Sequence, residues 1–309
     1  MRRITRDRFD QLPDNLKGSL ILMLAAFGFA LMIALIKLAG QRLPVTEILF
    51  LRQIGMTLML APVLLPNFRE TMHTHRLGLQ LTRIVLAVIA MTCGFSAVVH
   101  MPLADATALG FAKSFFVTIF AVIVLKETVG LYRWSAVAVG FIGVLVMLRP
   151  GTEGFSIYGL YAVIGAAAAG AVMVIIRLMS RTESTSTILA FQAIGVGLIM
   201  AVPAWMNWIA PTPGEWLLLA AIGVVSYFAQ KANITAFRYG EASLLASLDY
   251  VRLIYATGLG WLLFEQLPGV STWIGAGIIV VASIYTVHRE ARRKQNLARG
   301  PDGRGFTNH

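Results

Sequence analysis

Six ionisable side chains stand inside apolar stretches of this chain: Arg52, Arg83, Lys113, Lys231, Arg252 and Asp249. A charge at the centre of a hydrocarbon layer costs roughly 2.5–3.5 kcal/mol on insertion scales. Such residues must face one another, a polar ligand or water. Asp249 precedes Arg252 by three positions, so both share one helix face. The chemistry on offer is electrostatic: holding an ionic group, or making and breaking ion pairs. Covalent chemistry is poorly supplied. Asp249 has no second carboxylate beside it, and no activated nucleophile stands out. The single cysteine, Cys93, lies in an apolar run without a Cys/His cluster, so neither a metal nor a disulfide is expected. No phosphate-binding G-x-x-x-x-G-K-[ST] loop is present, so no ATP-driven cycle is expected. No cofactor is expected either.

The elements that carry these residues follow from composition. The chain is 57% hydrophobic and only 13% charged, with mean hydropathy +0.73. Soluble domains carry about 25% charged residues, so lipid is the solvent here. The net charge of +11 would suggest nucleic acid in a soluble chain. Here the bases sit in short connections and tails, which makes the lipid bilayer the partner and excludes nucleic acid.

About 20 apolar residues cross a bilayer. The sequence contains ten such runs. Five lie at 18–38, 46–65, 77–99, 103–125 and 131–149, and five at 156–178, 187–206, 215–236, 242–264 and 270–288. The chain thus divides into a basic tail 1–17, a first half 18–150, a turn-rich linker 151–155, a second half 156–288 and a basic tail 289–309. Run 18–38 is too long for a signal-peptide core and is read as a retained span. With the N-terminus in the cytoplasm, 18 of the 26 Lys and Arg fall in cytoplasmic segments and three outside. The excess of bases predicts both termini on the cytoplasmic side of a bacterial inner membrane.

The halves match each other. Asp105-Ala106-Thr107-Ala108-Leu109 aligns with Glu241-Ala242-Ser243-Leu244-Leu245, and Ile36-Lys37-Leu38 with Ile176-Arg177-Leu178. Ile54-Gly55 aligns with Ile194-Gly195, and Gly130 and Trp134 with Gly269 and Trp273. A repeat of five spans is odd, so the second copy enters from the opposite side. The expected fold is all-α and polytopic, with ten transmembrane helices in two inverted five-helix repeats.

At these residues the chain resembles the drug/metabolite transporter superfamily, and within it the ten-span EamA-type permeases with two EamA repeats. The resemblance rests on Pro102-Leu103-Ala104-Asp105-Ala106-Thr107-Ala108-Leu109, Leu125-Lys126-Glu127 and the stretch Gly140 to Gly151. In the second half it rests on Glu241 to Leu245, Asp249-Tyr250, Gly260-Trp261 and Phe264-Glu265. It implies a carrier of small metabolites such as amino acids or vitamins, and is unspecific for substrate. Many relatives have a proline in the middle of span 4. This chain reads Phe111-Ala112-Lys113-Ser114-Phe115 there, and Ser247-Leu248-Asp249-Tyr250 in span 9. The unwinding that a proline would give is therefore not implied.

Depth sorts the charges. Arg52, Arg83 and Lys231 lie about six residues, or about 9 Å, from a span end. Long side chains snorkel that far, so interfacial anchoring competes with a role in a site. Lys113 and Arg252 lie about ten residues in, and Asp249 about seven. Counted from span starts, Lys113 is equivalent to Asp249; counted from span ends, it faces Val251. Either way Lys113, Asp249 and Arg252 are expected to meet near the midplane, as a binding or gating site or as an ion pair locking span 4 to span 9. The excess positive charge, enlarged by Arg52 and Arg83, favours a substrate with a carboxylate. Tyr250, Trp261, Tyr227, Gln192 and Gln230 are added as site residues, and Phe116 and Tyr255 stand nearby. His100 ends span 3, where a proton relay competes with a plain loop histidine. The function expected is a secondary transporter working by alternating access on a small-molecule substrate. A channel or receptor is the alternative, and an intramembrane enzyme ranks below both. A homodimer is the one assembly the sequence leaves open.

Overall fold

The computed structural model describes residues 13–126, 130–151, 155–179, 182–239, 245 and 248–299. The motif residues 241–244, most of the linker and the first twelve residues lie outside them. Every regular element among the described residues is a helix. The first half runs α1 (Asp14–Ala39), α2 (Val45–Leu64), α3 (Phe68–Thr71), α4 (Leu77–His100), α5 (Leu103–Gly110), α6 (Lys113–Leu125) and α7 (Leu131–Leu148). The second runs α8 (Ile157–Met179), α9 (Thr185–Met206), α10 (Pro213–Tyr239), α11 (Val251–Phe264) and α12 (Val270–Arg299). Seven stretches are long and apolar enough to cross a membrane, counting α5 and α6 as one. Three shorter apolar helices, within α7, α11 and α12, bring the number to ten.

The ends of these helices are written in the sequence. Pro13, Pro44 and Pro102 stand immediately before α1, α2 and α5, where a missing N–H costs nothing. Ser184 caps α9 by accepting the Thr187 N–H at 3.1 Å. Lys126 and Glu265 close α6 and α11 in the left-handed region, at φ 53° and 54°. They occupy matching places in the two halves. The last helix, α12, continues past 288 to Arg299.

Polarity is distributed as lipid demands. Leu24, Leu58, Ile123, Leu198, Ile254 and Val281 are exposed, whereas Lys37, Glu47, Arg52, Gln53, Gln80 and Arg83 are buried. Apolar surface outside and polar groups turned inward is the arrangement of a bundle that lipid surrounds.

The packing repeats with the halves exchanged. α1 packs on α10, and its counterpart α8 packs on α4. α6 packs on α8, and its counterpart α11 packs on α1. α2 with α9 and α7 with α12 pair helices with their own counterparts. Glycines permit the closest approaches. A Cβ on Gly28 would meet Ala229 at 3.0 Å, and one on Gly165 would meet the Gly94 nitrogen at 3.0 Å. Gly143 and Gly275 bring α7 and α12 together backbone to backbone.

Candidate functional site

Two interruptions place the central charges. Span 4 is broken between α5 and α6, at Phe111 and Ala112. The N–H groups of Phe111, Ala112, Ser114 and Phe115 each reach back three residues instead of four. Ser114 supplies a local cause: its hydroxyl donates to the Phe111 carbonyl at 2.9 Å, competing with the regular helical bond. Span 9 is broken at Asp249 and Tyr250, where Arg252 and Leu253 also bond three residues back. Both breaks arise without proline. Short tight turns of this kind inside a span mark hinges or functional positions. The helices restart at Lys113 and Val251, which favours the count from the span ends.

The breaks bring Lys113, Asp249 and Arg252 together. Arg252 Nη2 lies 3.7 Å from Asp249 Oδ2, longer than a hydrogen bond. Lys113 is within electrostatic range of both. The Arg252 guanidinium sits 5.0 Å from the Phe111 ring and 6.0 Å from Phe29, inside cation–π range. Its Nε–H is buried without a hydrogen-bond partner.

Arg252 faces a cavity of about 330 Å³. The walls come from α1, α4, α5 and α8, through residues such as Met32, Met91, Phe95, Thr107, Gly165 and Ala169. Gln192 of α9 stands among the lining residues as well. The lining is mainly apolar with a few directed polar groups, the usual makeup of a small-molecule site.

Gln192 leads to a second polar group of residues. It accepts Arg83 Nη1 at 2.8 Å, and its carbonyl oxygen accepts the Gln53 amide at 3.3 Å. Gln53 in turn accepts Arg52 Nη1 at 2.9 Å, and Arg52 Nε donates to Ser226 at 3.0 Å. Interfacial anchoring is thereby ruled out for both arginines. Arg83 is 0% exposed and Arg52 3%, and their side chains turn to interior amides rather than to a membrane surface. Gln230 lines a small pocket beside them.

The remaining sequence-derived residues lie apart. Trp261 is 60% exposed on the outer face of α11 and lines neither cavity. Its span position was right but its helix face points to lipid. Lys231 is exposed, with Nζ 5.9 Å from the Tyr227 ring. Tyr227 is half-buried and packs against Leu60 and Leu64. The Tyr250 hydroxyl lies near Ser283 and Ser114, and its ring meets Phe111 edge-on at 4.7 Å. It braces the break instead of facing the cavity. His100 stacks flat on Tyr158 at 4.0 Å.

One cluster was missed. Lys37 counts from sequence as a base at a span end, yet it is 5% exposed. Its Nζ donates to the Val98 carbonyl at 3.1 Å and to the Met101 carbonyl, and it lies 5.4 Å from the Phe264 ring. Asp105 is within its electrostatic range and accepts the Thr272 hydroxyl at 2.8 Å. These contacts tie α1, α4, α5, α11 and α12 at one end of the bundle. The nearest sequence signal was the Asp105 motif itself. Thr272→Val removes the hydrogen bond to Asp105 and is expected to lower stability by about 1.5–3 kcal/mol. A thermal midpoint in detergent equal to that of the parent would show that this contact does not hold the end together.

Comparison with known proteins settles the family. A family model described as "EamA-like transporter family" matches residues 16–149 and 156–287. The chain belongs to the EamA-like transporter family. The two matched segments correspond to the two five-span halves. The chain is 34% identical to the "Pseudopaline exporter CntI" of Pseudomonas aeruginosa, over 88% of this chain and 96% of that protein. It is 28% identical to a "Riboflavin transporter" of Vibrio cholerae, over 92% and 98% of the two chains. An "S-adenosylmethionine uptake transporter" of Rickettsia prowazekii is also 28% identical, over 92% and 96%. A solved structure titled "Crystal structure of protein" shares the fold with TM-score 0.62 at 17% identity, covering 91% of this chain and all of that one. This EamA protein is a multi-pass membrane protein and a transporter of small metabolites.

Proposed function

We propose that the chain is a secondary transporter that carries a small metabolite bearing a carboxylate, zwitterions included, across the bacterial inner membrane by alternating access. The observation that carries this reading is the cavity of about 330 Å³ with Arg252 among its lining residues, a guanidinium whose Nε–H has no hydrogen-bond partner. A carboxylate entering the cavity would complete the guanidinium's hydrogen bonding and strengthen its charge balance. Asp249 and Lys113 then set how tightly Arg252 is held when the cavity is empty and when it is full. The apolar walls of α1, α4 and α8 accept the rest of the molecule.

Movement is assigned to the two halves rocking about their shared axis. The breaks before Lys113 and Val251 let α6 and α11 tilt relative to the segments that precede them. The Lys37 and Asp105 contacts are the ones that must open for passage at their end of the bundle. The distribution of basic residues supports both termini in the cytoplasm.

Flux in proteoliposomes tests the reading. Uptake of a carboxylate metabolite should saturate and show counterflow when the lumen is preloaded. Unsaturable conductance would favour the channel alternative and overturn the carrier. Relatives are named for export and for uptake, and preloading either side of the vesicle reads the direction.

A further inference from the structure

Arg83 is wholly buried, yet among the described residues it meets no carboxylate. Neutral partners compensate a buried guanidinium poorly, so its place calls for another account. Gln192 supplies one. Arg83 Nη1 donates to the Gln192 side-chain oxygen at 2.8 Å. A guanidinium carries donors only, so the atom facing it must be the amide oxygen, and the two ends of the amide cannot exchange. The backbone of Gln192 is tied as well, its carbonyl oxygen accepting the Gln53 amide at 3.3 Å. Arg83 is itself held, by the Ile188 carbonyl at 2.5 Å and the Gln80 side chain at 3.3 Å. What is left over is the Gln192 Nε2 group. It makes no hydrogen bond to a described residue, and it is not sealed away from open space.

Gln192 borders two spaces. The pocket beside Arg52 measures about 10 Å³, room for one water at most. The central cavity, about 330 Å³, is the space that admits a metabolite. Methionine sulfurs apart, three side chains on its wall can hydrogen-bond: Thr107, Gln192 and Arg252. Each has a fixed polarity. The Thr107 hydroxyl donates to the Leu103 carbonyl at 2.7 Å and keeps only its lone pairs for the cavity. Arg252 offers donors alone. Gln192 offers donors because Arg83 occupies its oxygen. The cavity thus carries donors from two helices, α9 and α11, on walls that are otherwise apolar.

We propose that Gln192 selects the cargo by donating to a second hydrogen-bond acceptor, a carbonyl or carboxylate oxygen, and that Arg83 is the positioning residue that keeps the amide turned this way. This rests on the carboxylate carrier proposed above: Arg252 takes the carboxylate, and Gln192 reads what else the molecule carries. The favoured class is a carboxylic acid with a further C=O group, and a plain hydrocarbon acid of the same shape is disfavoured.

Matched ligands test the assignment by calorimetric titration of the purified protein in detergent. 4-Acetylbenzoate and 4-ethylbenzoate differ by one carbonyl, and the 3-substituted pair changes its distance from the carboxylate. The expected result is about fivefold tighter binding of an acetyl compound over its ethyl partner, the size of one net hydrogen bond. Gln192→Met should erase that preference. Arg83→Met should weaken it by freeing the amide to turn, whereas Arg83→Lys, which keeps a donor toward the amide oxygen, should retain it. A merely structural role for Arg83 would lower stability and leave the ratio alone. Should Gln192→Met fold poorly, Gln192→Glu gives the second reading, because a carboxylate paired with Arg83 has no donor to offer and the ratio should again fall to one. An uncharged pair, 4-methylacetophenone and 4-ethyltoluene, separates this proposal from the carboxylate reading. A ketone preference kept there, with benzoates binding no more tightly, would remove the role of Arg252 and uphold that of Gln192. Equal binding of ketone and hydrocarbon in every pair, or a preference unchanged in the folded variants, overturns the proposal.

Discussion

Asp249→Asn and Lys113→Met, each made alone, are expected to abolish saturable transport while expression stays near the parent level. Asp249 carries the negative charge that Arg252 and Lys113 share near the middle of the bundle. Without it, two cations face each other beside the cavity with no described counter-charge. A hundredfold loss in the binding constant corresponds to about 2.8 kcal/mol, within reach of an unbalanced charge beside the cavity. The double variant separates the two meanings of the pair. If the charges only lock α6 to the start of α11, neutralising both restores a balanced, packed interface, and transport recovers. If they manage a bound carboxylate, the double variant stays inactive. Initial uptake rates over a range of substrate concentrations give the answer, and wild-type kinetics in both single variants would show that the cluster plays no part in transport.

The second large effect concerns packing. Gly143→Val should lower stability by about 1–3 kcal/mol and cut the yield of folded protein. A Cβ there would lie 2.8 Å from the Gly275 carbonyl oxygen and 2.9 Å from Ile279. The first obstacle is backbone and cannot rotate away, so α7 and α12 would have to separate along their length. Gly78, with open space around the same point, is the matched control, and Gly78→Val should change the melting temperature far less. A Gly143→Val protein that melts with the parent would mean that the two helices are not held as closely as the structure places them.

Much of the fold was legible in the sequence because lipid imposes a simple rule on composition. Among the described residues most apolar runs became one helix, run 103–125 became two, and the sequence match between the halves reappears as matched packing. The central cluster was legible for a related reason. A base or acid in a long apolar run has few places to go, so Lys113, Asp249 and Arg252 could be brought together on depth alone. The breaks were not legible, since the competing bond comes from the hydroxyl of Ser114, an ordinary residue in helices. For Arg52 and Arg83, distance from the span ends left interfacial anchoring and a place in the interior open, and the structure buries both. What draws them inward is a set of neutral amides and hydroxyls, on Gln53, Gln192 and Ser226, much of it from the other half of the chain. Lys37 was hidden by the same limitation, because backbone carbonyls at Val98 and Met101 leave no trace in residue type. Trp261 shows the converse, a residue at the right depth on the wrong face.

The long last helix has a practical consequence. α12 covers 30 residues, about 45 Å at 1.5 Å per residue, against about 30 Å of hydrocarbon. Roughly three turns must project beyond the lipid as a helical rod. A small globular protein fused in helical register after Arg299 would ride on that rod instead of swinging on a tether. A chain of 33.6 kDa with little mass outside the membrane would thereby acquire a fixed landmark for aligning its images in electron microscopy.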